Sequence, residues 1–118
     1  MHDSRILDYK TAELSQKFLR AAMDALGDKL DKVILYGSYA RGDHNIDSDI
    51  DFFISAHIPQ QEANKWRRNI RDRIPLLDLE YDVLVSMKVT ETAIFNQYAD
   101  NLPFFMNVIN EGLVLYEQ

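Results

Sequence analysis

The chain has 118 residues, of which 47% are hydrophobic and 27% charged, and this composition predicts a single globular domain over residues 1–118. Its net charge of −6 argues against direct nucleic-acid binding, and its lack of cysteine excludes disulfides and thiolate metal sites. No apolar run approaches the ~20 residues that span a membrane, and residues 1–5 lack the layout of a secretory signal, so we expect a cytoplasmic protein.

The first half of the chain predicts one long helix and two strands. Residues 8–26 carry apolar side chains at helical spacing and are followed by a glycine, which is typical of a helix end. Residues 33–36 form a short apolar run, which predicts a buried strand. Residues 48–55 alternate in character, so Asp49 and Asp51 are expected on one face of a second strand.

The second half predicts three helices and two more strands. Helical spacing covers residues 59–74, 90–98 and 102–110, whereas residues 78–85 alternate as a strand and residues 113–116 form a short terminal strand. The predicted order is α-β-(turn, short helix)-β-α-β-α-α-β. This order indicates an α/β (α+β) fold with a small mixed β-sheet flanked by helices.

A glycine–serine turn followed by two spaced aspartates is the most informative motif. Asp49 and Asp51 would project to the same side of a strand, where they repel unless a cation such as magnesium lies between them. Gly37 lets the backbone approach a ligand, and Ser38 begins a short helix whose free amides suit a phosphate. Arg41 either adds a charge-assisted contact to that phosphate or turns to the protein's own acids. Together these residues predict phosphoryl or nucleotidyl transfer.

A third carboxylate is expected on the next strand, because a third acid lets two metal ions clamp the attacking and leaving oxygens. Asp78, Glu80 and Asp82 all share one face of the predicted strand. Periodicity alone does not choose among them.

The spacing Gly37-Ser38-x10-Asp49-x-Asp51 resembles the signature of the DNA-polymerase-β-like nucleotidyltransferase superfamily. The Gly-Ser-Tyr-Ala-Arg-Gly opening and the ending over residues 104–117 are similar to the minimal nucleotidyltransferases, the MNT antitoxins that pair with HEPN-domain toxins. The resemblance implies the nucleotidyltransferase fold.

The resemblance also implies a role for each motif residue. Gly37 and Ser38 would hold the terminal phosphates of ATP, and Asp49 and Asp51 would bind two Mg²⁺ ions. The third acid of that family precedes aliphatic residues, which favours Asp82 over its two neighbours as a further metal ligand. Asp82 would help position or deprotonate the incoming hydroxyl beside one of the ions.

The implied activity is transfer of AMP from ATP to a tyrosine hydroxyl of a HEPN-type toxin ribonuclease. Such adenylylation would neutralise the toxin, and the two proteins would form a hetero-oligomer. The predicted single domain leaves no residues for a second domain that builds an acceptor pocket, which favours a protein as acceptor.

Two alternatives stay open at the level of the sequence. In one, the same chemistry adenylylates a small molecule such as an aminoglycoside, or a tRNA end, although the acidic balance disfavours tRNA. In the other, the protein is a non-catalytic antitoxin that neutralises its partner by binding. The complete motif set favours catalysis over occlusion.

Overall fold

A mixed sheet lies at the centre of residues 7–118, the part of the chain that the computed structural model describes. Residues 1–5, where no secretory signal was recognised, lie outside that part. The strands are β1 (Leu30–Tyr36), β2 (Ile50–Ala56), β3 (Val85–Glu91) and β4 (Leu113–Glu117). They are ordered β3-β2-β1-β4, with β1 antiparallel to both of its neighbours and β2 parallel to β3. The predicted mixed sheet and α/β class are confirmed.

Helices cover the sheet and connect its strands. They are α1 (Tyr9–Leu26), α2 (Ser38–Arg41), α3 (Ala63–Asp72), α4 (Leu77–Tyr81), α5 (Thr92–Tyr98) and α6 (Pro103–Glu111). Asp8 caps α1 by accepting the Thr11 amide at 2.8 Å, and Gly27 ends the helix with φ of +54°. Within residues 7–118 no helix combines the length and apolarity that crossing a bilayer requires.

The two faces of the sheet carry separate cores. One face packs against α1 and α3, and there the rings of Phe18 and Phe52 stack with centroids 4.0 Å apart. Burying each such ring contributes roughly 1.5–3 kcal/mol. The other face, which we call the α5–α6 face, is built on Ile34 and Phe53 and is covered by Phe95, Phe105 and Val108.

The strand predicted over residues 78–85 is wrong, because this segment begins with the short helix α4. Leu77 and Tyr81, four residues apart, are buried, whereas Leu79 between them is 79% exposed. Apolar residues at alternate positions also fit one turn of helix, so the pattern was ambiguous.

The third strand lies further along the chain, at β3. Val85, Met87 and Val89 are buried while Lys88 between them is exposed, which is the period-two pattern of a half-buried strand. The following helix consequently starts at Thr92 instead of residue 90. The other predicted elements are confirmed to within a few residues at their ends.

Candidate active site

The Gly37–Ser38 turn joins the end of β1 to the short helix α2. Gly37 has φ of +75°, a left-handed conformation that favours glycine, and its carbonyl accepts the amides of Ala40 and Arg41 at 3.0 Å. The first amides of a helix have no acceptor within the helix, so the amides of Ser38 and Tyr39 are available to a ligand. The turn therefore has the geometry expected of a phosphate-binding loop.

The two aspartates stand at the start of β2, beside this turn. Asp49 immediately precedes the strand and is exposed, whereas Asp51 is its second residue and is half-buried. Asp51 pairs with Tyr36 of β1, and it shares the α5–α6 face with Phe53. Because Asp49 lies outside the strand, the common face expected for the two aspartates stays a prediction.

Gly37 and Asp51 are in direct contact. A β-carbon placed on Gly37 would lie 2.5 Å from Oδ2 of Asp51, which is closer than such atoms can approach. Only glycine therefore fits here, for two reasons: its backbone is left-handed, and the aspartate carboxylate occupies the place of a side chain.

The electrostatics of the pair favour a bound cation. Burial raises the pKa of the Asp51 carboxyl, and the charge of Asp49 raises it further, whereas the Ser86 side chain and the Arg41 charge lower it. Burial, with a contribution from Asp51, also raises the pKa of Tyr36 to about 12. A divalent cation with hard oxygen ligands would relieve the repulsion between the two carboxylates, so this donor set fits magnesium.

Arg41 points to acids of the protein itself. Its Nη1 donates to Glu111 Oε1 of α6 at 2.8 Å, and its Nε donates to Asp43 Oδ2 at 3.2 Å. The hydrogen bonds to Glu111 and then to Asp43 raise the pKa of the guanidinium above its usual value. The second of the two orientations open to Arg41 is thus the one observed, although its charge still acts on Asp51.

Two of the three candidates for the third acid have structural partners. Asp78 accepts Nη1 of Arg71 at 2.8 Å and the backbone amide of Val85 at 2.9 Å, so it anchors the first residue of β3. Glu80 pairs with Lys17 of α1 at 2.8 Å on the surface. These contacts account for both carboxylates without a catalytic role.

Asp82 lies at the C-terminal end of α4, not on a strand as the sequence predicted. Its φ is +52°, it is exposed, and it lines a cleft that Asp49 also lines. Within residues 7–118, however, no three acidic or histidine side chains are grouped so that they could hold a metal ion. The expected three-carboxylate metal set of Asp49, Asp51 and Asp82 is thus not grouped in this structure, and a role of Asp82 as a metal ligand stays a prediction. An approach of Asp82 to a substrate hydroxyl stays a prediction.

Two residues next to Asp51 were missed at the level of the sequence. Tyr36 is its partner on β1 and Ser86 its partner on β3, so the three side chains share one face of the sheet. The alternation of buried residues in β3 would have placed Ser86 on this face, had the strand been located correctly. Tyr36 was assigned to β1, but pairing register cannot be read from its own segment.

Comparisons with known proteins agree with this geometry. Residues 16–106 match the family model described as "Nucleotidyltransferase domain". The chain is 33% identical over 90 residues to "Putative protein adenylyltransferase MJ0141" of Methanocaldococcus jannaschii, which covers 76% of this chain and 89% of that relative. It is 34% identical over 101 residues to MJ0604 of the same organism, which has the same descriptive name, covering 86% and 93%.

The fold is also found among solved structures. A crystal structure of a toxin–antitoxin with AMP-PNP superposes with a TM-score of 0.60 and 21% identity, over 87% of this chain and 73% of that chain. At this identity the likeness concerns the fold.

Proposed function

Because this chain belongs to the family of nucleotidyltransferase domains, we propose that it transfers AMP from ATP to a hydroxyl group of another protein. The observation that carries the proposal is the contact of the Gly37 turn with Asp51, next to Asp49, because a turn that would bind phosphate then lies beside two carboxylates that would bind a cation. The relatives named as protein adenylyltransferases favour AMP as the transferred group and a protein as the acceptor.

The chain's own residues have distinct parts in this reaction. The amides that follow Gly37 and the hydroxyl of Ser38 bind the terminal phosphates of ATP, which leave as pyrophosphate. Asp49 and Asp51 hold Mg²⁺, which when bound polarises the phosphoryl oxygens and neutralises their charge. The number of ions, for which the sequence predicts two, stays a prediction.

Two further residues act around this centre. Arg41 reaches the phosphates once it leaves its contacts with Glu111 and Asp43, since its charge already acts on the site. Asp82 faces the acceptor hydroxyl from the cleft that it shares with Asp49, and takes or orients its proton.

The partner that we propose is a HEPN-type toxin ribonuclease, with a tyrosine as the acceptor. The resemblance to the MNT antitoxins supports this choice, and the fold shared with a toxin–antitoxin structure is consistent with it. AMP on that tyrosine would neutralise the toxin. The reaction would take place in the cytoplasm, where ATP and magnesium are abundant.

The test is to incubate the protein with ATP, Mg²⁺ and the product of the adjacent gene, and to measure the mass of both proteins. We expect AMP on a tyrosine of the neighbour, and none with the double variant Asp49→Asn, Asp51→Asn. Asp24→Asn, which changes an exposed acid of α1, is the matched control and should retain full activity. AMP on the neighbour at a residue other than tyrosine would correct the acceptor, and an unmodified neighbour would overturn the proposal.

A further inference from the structure

Asp51 lies on a central strand, so both of its lateral neighbours are fixed by strand pairing. On β1 the paired residue is Tyr36, and on β3 it is Ser86. Residues paired across neighbouring strands project to the same face, which here is the α5–α6 face. Ser86 is half-buried, and the register of β2 with β3 places it directly beside Asp51.

Because the β3 residue paired with Asp51 is a serine, this strand adds no third carboxylate beside Asp49 and Asp51. The residues of β3 on this face are Ser86, Lys88 and Thr90, and the acid of this strand, Glu91, pairs with Ala56 at the far end of β2. The paired strands thus set a hydroxyl donor beside Asp51 where a third carboxylate would add a third negative charge. An ionised carboxylate only accepts hydrogen bonds, so a serine hydroxyl can donate to Asp51 where another ionised acid cannot.

Contacts constrain the Asp51 carboxylate from two sides. The Gly37 backbone closes one side, because Oδ2 occupies the space of a missing β-carbon. Ser86 lies on the other side, at the paired position of the neighbouring strand β3. Partners that hold a ligand in this way restrict its rotation and increase the affinity of the site for its ion.

We propose that Ser86 is a positioning residue, whose hydroxyl fixes the Asp51 carboxylate in the orientation in which it shares a divalent cation with Asp49. The inference deepens the proposed function and rests on it for the identity of the site. Its test therefore measures cation binding by the whole protein without ATP or an acceptor, so that the two proposals fail separately.

The experiment titrates the protein with Mn²⁺ and follows free ion by electron paramagnetic resonance. Ser86→Ala should bind Mn²⁺ roughly tenfold more weakly than wild type, which is the usual cost of losing such a partner. Ser86→Thr keeps the hydroxyl on a residue suited to strands and should restore affinity close to that of wild type. Thermal unfolding of each variant establishes that it is folded during the titration.

Ser55→Ala is the matched control, because it removes the same kind of hydrogen bond elsewhere. Ser55 Oγ donates to Asp31 Oδ2 at 3.0 Å, near the end of β2 that lies away from Asp51. This variant should lose stability but bind Mn²⁺ like the wild type. The proposal is overturned if Ser86→Ala binds as tightly as wild type, if Ser86→Thr is as weak as alanine, if Ser55→Ala weakens binding equally, or if the wild type shows no saturable Mn²⁺ binding. Normal Mn²⁺ behaviour with no AMP transfer would instead overturn only the proposed acceptor reaction.

Discussion

The backbone of Gly37 and the carboxylate of Asp51 fill one space: a β-carbon on the glycine would lie 2.5 Å from Oδ2 of the aspartate. Gly37 links β1 to α2, and Asp51 lies near the start of β2, so this contact packs the turn that we propose for phosphate against the aspartates that we propose for the cation. The Gly37 turn and the aspartates are therefore packed as one structural unit, so a substitution in either part should displace the other.

Gly37→Ala tests this unit directly. The new methyl group must displace the Asp51 carboxylate, so we expect AMP transfer to fall at least about tenfold, as it does when the partner of a metal ligand is lost. With φ of +75° and ψ of −157°, the backbone of Gly37 lies in a region that essentially only glycine adopts, so alanine adds roughly 1–3 kcal/mol of strain to the folded state. Activity and the free energy of unfolding are both measured.

Gly42→Ala distinguishes the effect of backbone strain from the effect of displacing the Asp51 carboxylate. Gly42 has φ of +85°, but a β-carbon there would meet nothing within 4 Å. Gly42→Ala should therefore lose roughly 1–2 kcal/mol of stability through backbone strain alone and keep most of its activity. Equal losses of activity in the two alanine variants would contradict a specific role of the Gly37–Asp51 contact.

Asp51→Asn should stabilise the protein at neutral pH when divalent cations are absent. Burial and the charge of Asp49 raise the pKa of Asp51 in the folded protein, so the folded state binds more protons than the unfolded chain between the two pKa values. The favourable contribution of the protonated group is complete below the unfolded pKa of about 4 and is lost as the pH rises through the folded pKa. Asparagine cannot ionise and avoids this loss.

We expect the free energy of unfolding to rise by roughly 0.5 kcal/mol at about pH 7, a small value because Asp51 is only half-buried. The difference from wild type should vanish below about pH 4. Urea unfolding with a chelator present, at several pH values, measures it. A variant less stable than wild type at neutral pH would show that the two carboxylates do not repel each other appreciably.

The sequence predicted those parts of the site that depend on local geometry. The Gly37 turn follows from a glycine after an apolar run, and the position of Asp51 on a strand follows from the alternation of residues 48–55. The end of α1 was equally predictable, because Gly27 is typical of a residue that follows a helix.

The parts that failed depend on contacts between distant segments. Asp78 to Tyr81 fits either a strand or a turn of helix, and the choice is made by burial of Leu77 and Tyr81 against the core. The register of Ser86 with Asp51 and the pairing of Arg41 with Glu111, 70 residues apart, exist only once the chain has folded. No pattern within either segment contains that information.

Replacing each of Asp78, Glu80 and Asp82 in turn by its amide distinguishes the roles of the three candidates for the third acid. Asp78→Asn should lower the free energy of unfolding by roughly 1–3 kcal/mol, because it weakens a charge-assisted pair with Arg71 beside β3. Glu80→Gln loses only an exposed pair with Lys17 and should stay within about 1 kcal/mol of wild type.

Asp82→Asn should keep its stability, because asparagine tolerates the left-handed backbone. It should also keep its Mn²⁺ affinity, because Asp82 is not grouped with Asp49 and Asp51. If Asp82 acts on the acceptor hydroxyl, transfer to the acceptor falls by about 10²-fold or more. Unfolding, Mn²⁺ titration and AMP transfer are measured for all three variants. Weaker Mn²⁺ binding by Asp82→Asn would instead make Asp82 a metal ligand.

The ion pair between Arg41 and Glu111 should compete with nucleotide binding. Arg41 is held 2.8 Å from Glu111 of α6, and a phosphate would have to draw the guanidinium away from this partner. An exposed pair of this kind is worth up to about 1 kcal/mol, so Glu111→Gln should strengthen ATP binding by about two- to fivefold. Arg41→Ala should weaken ATP binding, because alanine cannot make the charge-assisted contact that we propose between the guanidinium and the phosphates.

Calorimetric titration with a non-hydrolysable ATP analogue measures the ATP affinity of both variants, with Asp24→Asn as the control for loss of one negative charge. If Glu111→Gln weakens binding, or if Arg41→Ala leaves it unchanged, Arg41 is a structural link between α2 and α6 and has no part in holding the phosphates.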